Sequence, residues 1–411
     1  MLHLLFLVPM RIFLTCIFIL IFLCACGRPA PVKVSGPLFQ RAYIWQREWT
    51  PAVTKAIEQA KGSLQGVVVL GSEVAWVNRS FQVITPKIDW DALKASGLPV
   101  SLAFRIGPFP GPFASDDEPV RRLCDIERSL LDRAKKASLN CVELQVDFDC
   151  AQKKLRGYAT WLRSLKAAAR SVPIVFTALP AWLDEADFAA LTTEADAFVL
   201  QVHSVEPPRV GDAVALCDPI RARRWMEKAS QLGRPFEVAL PTYSCYAGYD
   251  ANGRALGVAA DGPSPAWPAG SRIREFTADP DALAALVAEW IRERPANLRG
   301  LMWYRMPVGT DHNNWRWPTF MAVLTGRSPK HDLVTMIGEG NPSDIILINQ
   351  GEADERITAP VTIRWEGAVS VMEAMPGWKV EARAGQVIFT PEETGQRLPP
   401  NARKVIGWIR R

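Results

Sequence analysis

Histidine is scarce in this chain: there are four in 411 residues, and only His203, His312 and His331 lie beyond the first segment. No two share the helical spacing of a ligand pair, and no cysteine group has zinc-site spacing, so no metal is expected. Gly-rich phosphate loops and a G-x-S-x-G elbow are also missing, which leaves nucleotide hydrolysis and esterase chemistry without an anchor and implies no cofactor. Charge of one sign is missing as well. Lys and Arg number 48 against 43 Asp and Glu, dispersed along the chain, so nucleic acid is not an expected partner. Long apolar runs are confined to the start, where Ile12 to Leu23 is shorter than the roughly 20 residues of a spanning helix. Residues 1–26 therefore read as a secretory signal to be set aside from the fold, with Met10-Arg11 as a more ordinary start than Met1. Beyond Cys26 stand Cys124, Cys141, Cys150, Cys217 and Cys245, an odd set that leaves at least one thiol free. Cys141 and Cys150 bracket one extended segment about 30 Å long and cannot bridge. Cys217 and Cys245, on loops after neighbouring strands, are the best-placed pair, with free buried thiols as the alternative.

What the chain does have is alternation. From Arg41, short apolar runs such as "GVVVLGSEV", "CVELQVDFD" and "PIVFTALPAW" alternate with helical patterns such as "EPVRRLCDIERSLLDRAKKA" and "DPDALAALVAEWIRER". Eight such units predict an α/β fold, a (β/α)8 TIM barrel over residues 38–327, in preference to an open doubly wound sheet. Trp161, Trp225 and Trp290 fall inside helical patterns and read as core. After Arg327 the character changes to short alternating strands, among them "DIILINQGE", "WKVEARAGQVIFTP" and "KVIGWIRR". Residues 328–411 read as a small β-sandwich, whose plainest role is packing and whose alternative is carbohydrate binding.

In such a barrel the C-terminal strand ends carry the chemistry. In "VELQVDFDC", Glu143, Gln145, Asp147 and Asp149 share the face opposite Val142, Leu144, Val146 and Phe148. Glu143 and Gln145 sit low enough for a structural role, Glu143 as a partner of Arg105; Asp147 and Asp149 reach the mouth. Other strand ends add Trp45, Gln46 and Arg47, Glu73, Arg105, Gln201 and His203 with Glu206 beyond, Tyr243, and Trp303, Tyr304 and Arg305. Trp182, Trp315 and Trp317 are also placed to line a cleft. Polar groups mixed with aromatic rings suit a sugar, whose hydroxyls need partners and whose C–H faces stack. In the resulting hypothesis Asp149 is nucleophile or base, Asp147 sets its pKa and orientation, and a protonated Glu73 is the general acid with Glu206 in reserve. Arg105, Gln201, His203, Tyr243, Tyr304 and Arg305 bind the sugar, and Trp45 and Trp303 stack on it. Asp147 and Asp149 lie roughly 7 Å apart on one wall, so a partner across the cleft is needed. A barrel that binds a glycan without cutting it is the competing reading.

Two resemblances attach to these residues. Leu23-Cys24-Ala25-Cys26 resembles the bacterial lipobox, which implies a lipid on Cys26, membrane tethering and, with Gly27 next, the outer membrane facing the periplasm. With "AYIWQREWTPAV", "ELQVDFDC", "FTALPAWL", "LQVHSVEPP" and "GLMWYRMPV", the stretch from Arg41 to Pro307 looks like an uncharacterised family of bacterial lipoproteins known as a domain of unknown function. That resemblance implies no activity. More distantly, "VELQVDFD" is similar to the D-x-x-D-x-D-x-E strand of chitinase-type glycosidases, with Asp147 and Asp149 on the two later aspartates and Ala151 in place of the glutamate acid.

Overall fold

Runs such as Val67-Val68-Val69-Leu70 carry apolar side chains on both faces, and only a strand covered on both sides can bury them. The computed structural model describes residues 31–203, 216–260, 266–365, 369–393 and 395–410. In it these runs are the strands β1 (Phe39–Ile44), β2 (Gly66–Val77), β3 (Val100–Ile106), β4 (Cys141–Asp147), β5 (Ile174–Ala178), β6 (Ala197–Gln201), β7 (Phe236–Pro241) and β8 (Leu298–Tyr304). Each pairs in parallel with the next, and β8 returns to β1 with Trp303 opposite Ala42, so the sheet closes. A helix follows every strand: α1 (Pro51–Ala60), α2 (Trp90–Ser96), α3 (Glu118–Lys136), α4 (Leu155–Ala168), α5 (Ala186–Leu191), α6 (Pro219–Ser230), α7 (Pro280–Arg292) and α8 (Trp317–Leu324). The fold is the expected (β/α)8 barrel.

Local sequence sets the helix starts. Asp117, Asp218 and Asp279 cap α3, α6 and α7 by accepting from backbone N–H groups of the first turn, and a proline stands in that turn of each. Alternation then sorts the strand side chains into two cores. Leu144, Val146, Phe176 and Leu301 face the helices, with fully buried Trp161 and Trp290. Tyr43, Val68, Ala103, Val175, Val199, Ala239 and Met302 fill the lumen, with Trp45 and Tyr304 packed above them.

Other features lie outside the simple alternation. Ser80–Ile84 folds back antiparallel on β2. Between β7 and α7 the chain forms a three-stranded antiparallel sheet, Ser244–Tyr249 between Ala255–Ala259 and Arg272–Thr277. The expected Cys217–Cys245 bridge is not formed: all five cysteines are free, and burial raises the thiols of Cys217 to about 12 and Cys245 to about 11. After the barrel, Leu333–Ile337, Ser343–Asn349, Arg403–Arg410 and Val371–Ala374 form one antiparallel sheet, and Val361–Arg364, Gln386–Pro391 and Trp378–Arg383 form another. Ile345, Leu347, Ile363, Trp378, Phe389 and Ile409 from the two sheets share one core. No helix among the described residues is long and apolar enough to cross a membrane. The expected leader and Cys26 lie outside the described residues.

Candidate active site at the barrel mouth

The inward-facing residues build the site in layers. At the floor, Arg41 donates to Ser101 Oγ at 2.9 Å, Glu143 Oε1 at 3.0 Å and Glu237 Oε2 at 2.7 Å. Burial works against the Arg41 charge, but the two carboxylates outweigh it and raise its pKa. Glu143 thus pairs with Arg41 on the opposite wall rather than with Arg105. Gln145 ties this floor to the next layer, donating to Glu143 at 2.7 Å and accepting from Tyr43 Oη at 2.7 Å. These contacts make Glu143 and Gln145 a satisfied polar foundation.

Above it stand the carboxylates. Asp147 Oδ1 accepts from Thr177 at 2.7 Å, and its Oδ2 lies 3.7 Å from Arg105 Nε. Burial raises the Asp147 pKa, with Arg105 and Thr177 drawing it back and Glu73 adding to the rise. Phe148 turns outward into the core, and Asp149 follows just past the end of β4 with an edge open to solvent. Its carboxyl is nonetheless raised to about 7, first by loss of water against the surrounding walls and then by the Asp147 charge, against the pull of Arg105. Glu73, from β2, is gripped by Arg47 through Nε at 2.5 Å and Nη2 at 3.2 Å, with Arg105 Nη1 at 3.5 Å. A guanidinium fork offers only donors, so both Glu73 oxygens act as acceptors. That contact set holds the Glu73 side chain in place between two arginines.

An aromatic group completes the mouth. His203 stacks on Tyr304 at 5.7 Å and lies edge-on to Tyr243, with Nδ1 3.4 Å from the Tyr243 hydroxyl. Burial lowers the His203 pKa to about 4, so its ring is neutral near pH 7. Trp45 packs edge-on against Tyr43 and Tyr304. Gln201 is half-buried at the end of β6. Arg305 is held by Asp311 at 2.7 Å, with its guanidinium over the Tyr243 ring. A cleft of about 910 Å³ opens to one side of these groups, lined among others by Trp45, Arg47, Glu73, Arg105, Arg305 and Tyr246; Asp147, Asp149, His203, Tyr243 and Tyr304 are not in its lining.

The structure does not bring every expected residue to the mouth. Trp303 is fully buried behind β8, its Nε1 donating to Gln40 at 2.9 Å and its ring edge-on to Phe320 of α8. Alternation explains the correction: Met302 and Tyr304 face the lumen, so the residue between them must face out. Trp182 and Trp315 are buried too, donating to the carbonyls of Cys150 at 3.2 Å and Ala278 at 3.0 Å. Trp317 packs against Phe320 within the helix layer. Glu206 lies outside the described residues. Conversely, Thr177 had been passed over, although its inward position two residues from Val175 follows from the strand period. Tyr246 and Ile273 of the inserted sheet line the cleft without any earlier signal. Among the described residues no group of three His, Cys, Asp or Glu could hold a metal ion.

With this geometry established, comparison with known proteins places the fold. The spore cortex-lytic enzyme SleL of Bacillus cereus superposes with a TM-score of 0.51 at 12% identity, over 72% of this chain and 75% of that one. A chitinase from Bacteroides thetaiotaomicron matches at 0.48 and 11% identity, over 71% and 96% of the two chains. A chitinase from Chromobacterium violaceum matches at 0.46 and 16%, over 70% and 98%. No curated protein matches the chain. At such identities the likeness is one of fold. Residues 115–309, the stretch that carries Asp147, Asp149, His203, Tyr243 and Tyr304, match the family described as Domain of unknown function (DUF3142).

Proposed function

We propose that this protein is a glycoside hydrolase-like barrel that cuts an envelope or extracellular glycan, tethered to the membrane by a lipid on Cys26. The observation that carries the reading is the placing of Asp149, exposed at the barrel mouth two residues beyond an Asp147 fixed by Arg105 and Thr177, where burial and that neighbour's charge push its carboxyl up to about 7. A group that holds its proton near neutrality and reaches solvent can protonate the glycosidic oxygen as the C–O bond breaks; the leaving sugar departs as an alcohol, and a water molecule adds to the anomeric carbon and returns a proton to the acid. This reading gives the acid role to Asp149 rather than to Glu73. Glu73, held between Arg47 and Arg105, is the second acidic side chain, available to the developing positive charge of the sugar ring. His203, Tyr243, Tyr304, Arg105 and Arg305 orient the sugar, and Trp45 stacks on it. A barrel of this fold also occurs in a protein described as a spore cortex-lytic enzyme.

Ala151 favours the second reading, a glycan-binding barrel without catalysis, because the chitinase-like strand pattern has its acid there. Mass spectrometry of soluble products separates the two. The full-length protein and its Asp149→Asn variant are incubated with envelope glycans and exopolysaccharides. Oligosaccharides released by the unaltered protein alone are the expected result. Glycan retained by both proteins, with nothing released by either, moves the assignment to a binding protein.

A further inference from the structure

The helices of the barrel run from the mouth to the opposite face, so their C-terminal ends, the loops after them and the first residues of the strands form a lower rim, away from Asp149. Exposed cations gather there. Lys61, Lys94, Lys135, Lys136 and Arg170 stand at or just past the ends of α1 to α4, where helix carbonyls favour positive charge. Arg299, near the start of β8, answers to no helix end and stands on the same rim. None of the six has an ion-pair partner among the described residues.

The acids nearby do not offset them. Glu194 and Asp196 are taken up by Arg163 and Lys166, Glu293 by Lys33, and the floor acids Glu143 and Glu237 by Arg41, which leaves Glu58 and Asp132. Apolar side chains stand among the cations: Val32 is 71% exposed, Phe39 44%, and Val142, near the start of β4, is exposed too. The first described residues are strapped to this rim. Lys33–Val34 pairs with Arg294–Pro295 ahead of β8, and the Val32 carbonyl accepts from the Ala296 N–H at 2.7 Å. Arg294 donates to the carbonyls of Gly36 at 2.7 Å and Pro37 at 3.2 Å, which fixes the segment under the barrel.

We propose that this rim docks on an anionic phospholipid membrane, its cations against headgroup phosphates and Val32 and Phe39 at the headgroup boundary, so that the mouth is turned away from the bilayer. The proposal rests on the Cys26 tether of the reading above and adds how the barrel stands on it. Pro31 follows Cys26 by five residues, a reach of about 18 Å at most. Attraction of Lys and Arg to an anionic leaflet acts over a screening length of about 8 Å, so a tether this short, leading to this face, holds the cations close to where they are drawn in. Tether and charge then reinforce each other, as two linked binding sites do.

Lysine acetylation read by mass spectrometry tests it on the full-length protein, mixed with vesicles of phosphatidylcholine alone or with about one-third phosphatidylglycerol. Lys94, Lys135 and Lys136 should react several-fold more slowly on the anionic vesicles, while Lys87 and Lys153, exposed toward the mouth, react at the same rate on both. About 1 M salt should restore the lower lysines. Arg170→Glu with Arg299→Glu, two exposed positions, should reduce their protection. Equal reactivity of the lower lysines on the two lipids, or protection of Lys87 and Lys153 instead, overturns the docking. Sedimentation with the neutral vesicles reads the tether by itself. A chain that stays in solution there overturns the tether on which the proposal rests, whereas one that sediments with both lipids and shows no protected lysine overturns the docking alone.

Discussion

Asp147 and Asp149 are two residues apart and differ in their partners. Asp147 is fixed by Thr177 and Arg105, whereas among the described residues no hydrogen bond reaches Asp149, an exposed residue whose carboxyl is pushed up by the partial burial of its surroundings and by its neighbour's charge. Cleavage that needs this proton should fall as pH rises through about 7, where Asp149 ionises. Asp147→Asn removes the like charge that helps raise it, so the alkaline limb should move to lower pH. A pH profile of kcat/KM for the two proteins checks this, and a limb that stays in place excludes Asp149 as the titrating acid. The aspartate pair was legible because a strand's period is two, and the same rule, applied one residue more strictly, would have turned Trp303 outward and found Thr177. The grip of Arg47 on Glu73 was not legible, because it depends on how β1 and β2 are staggered in space.

Strands buried on both faces announce themselves in sequence as apolar runs, and so the eight barrel strands could be read in order. The inserted sheet could not, since "SCYAGY" and "RIREFT" are short, carry glycine or charge, and show no apolar run. The closing seam of the barrel rests on one absence. A Cβ on Gly300 would meet the Phe39 carbonyl at 2.2 Å, so Gly300→Ala must push β8 off β1. The variant should lose roughly 1 to 3 kcal/mol in urea unfolding; an unchanged midpoint would show that the seam yields freely. Helix α3 holds a different liability. Glu127 is fully buried, neither carboxyl oxygen has a hydrogen-bond partner among the described residues, and burial raises its pKa to about 8. Because the unfolded chain releases this proton near the ordinary glutamate value, stability should fall as pH rises from about 4.3 to about 8 and then level off. Glu127→Leu should abolish that slope, with a gain on the order of a few kcal/mol at pH 9 and little at pH 4. A melting-temperature difference that does not change with pH would place the Glu127 charge elsewhere.

At the scale of the whole molecule, the change of character after Arg327 was visible in sequence, but the way the C-terminal strands meet the barrel was not. Many of the contacts joining them are charged and partly exposed. His331 lies 3.1 Å from Asp281 of α7 and 3.0 Å from Glu355, and Arg327 pairs with Glu352 at 2.7 Å. Glu275, on the inserted sheet, receives Arg356 and Arg397. Exposed pairs of this kind contribute about 0 to 1 kcal/mol each and weaken with salt, whereas each unit keeps its own apolar core. Salt should therefore act on the junction before it acts on either unit. Calorimetry at low ionic strength should give one transition, and at about 1 M salt, where the screening length is about 3 Å, the C-terminal strands should melt separately. His331 adds a pH dependence with a definite sign. Burial opposes its charge, but hydrogen bonds to Asp281 and Glu355 outweigh burial and raise its pKa. Its contribution to docking is complete below the ordinary histidine value of about 6.5 and is lost as pH rises through the raised one. The transitions should separate more readily at pH 9 than at pH 6, and His331→Gln should remove that difference. A single transition at every salt and pH would mean that apolar contact, rather than these ion pairs, holds the C-terminal strands against the inserted sheet.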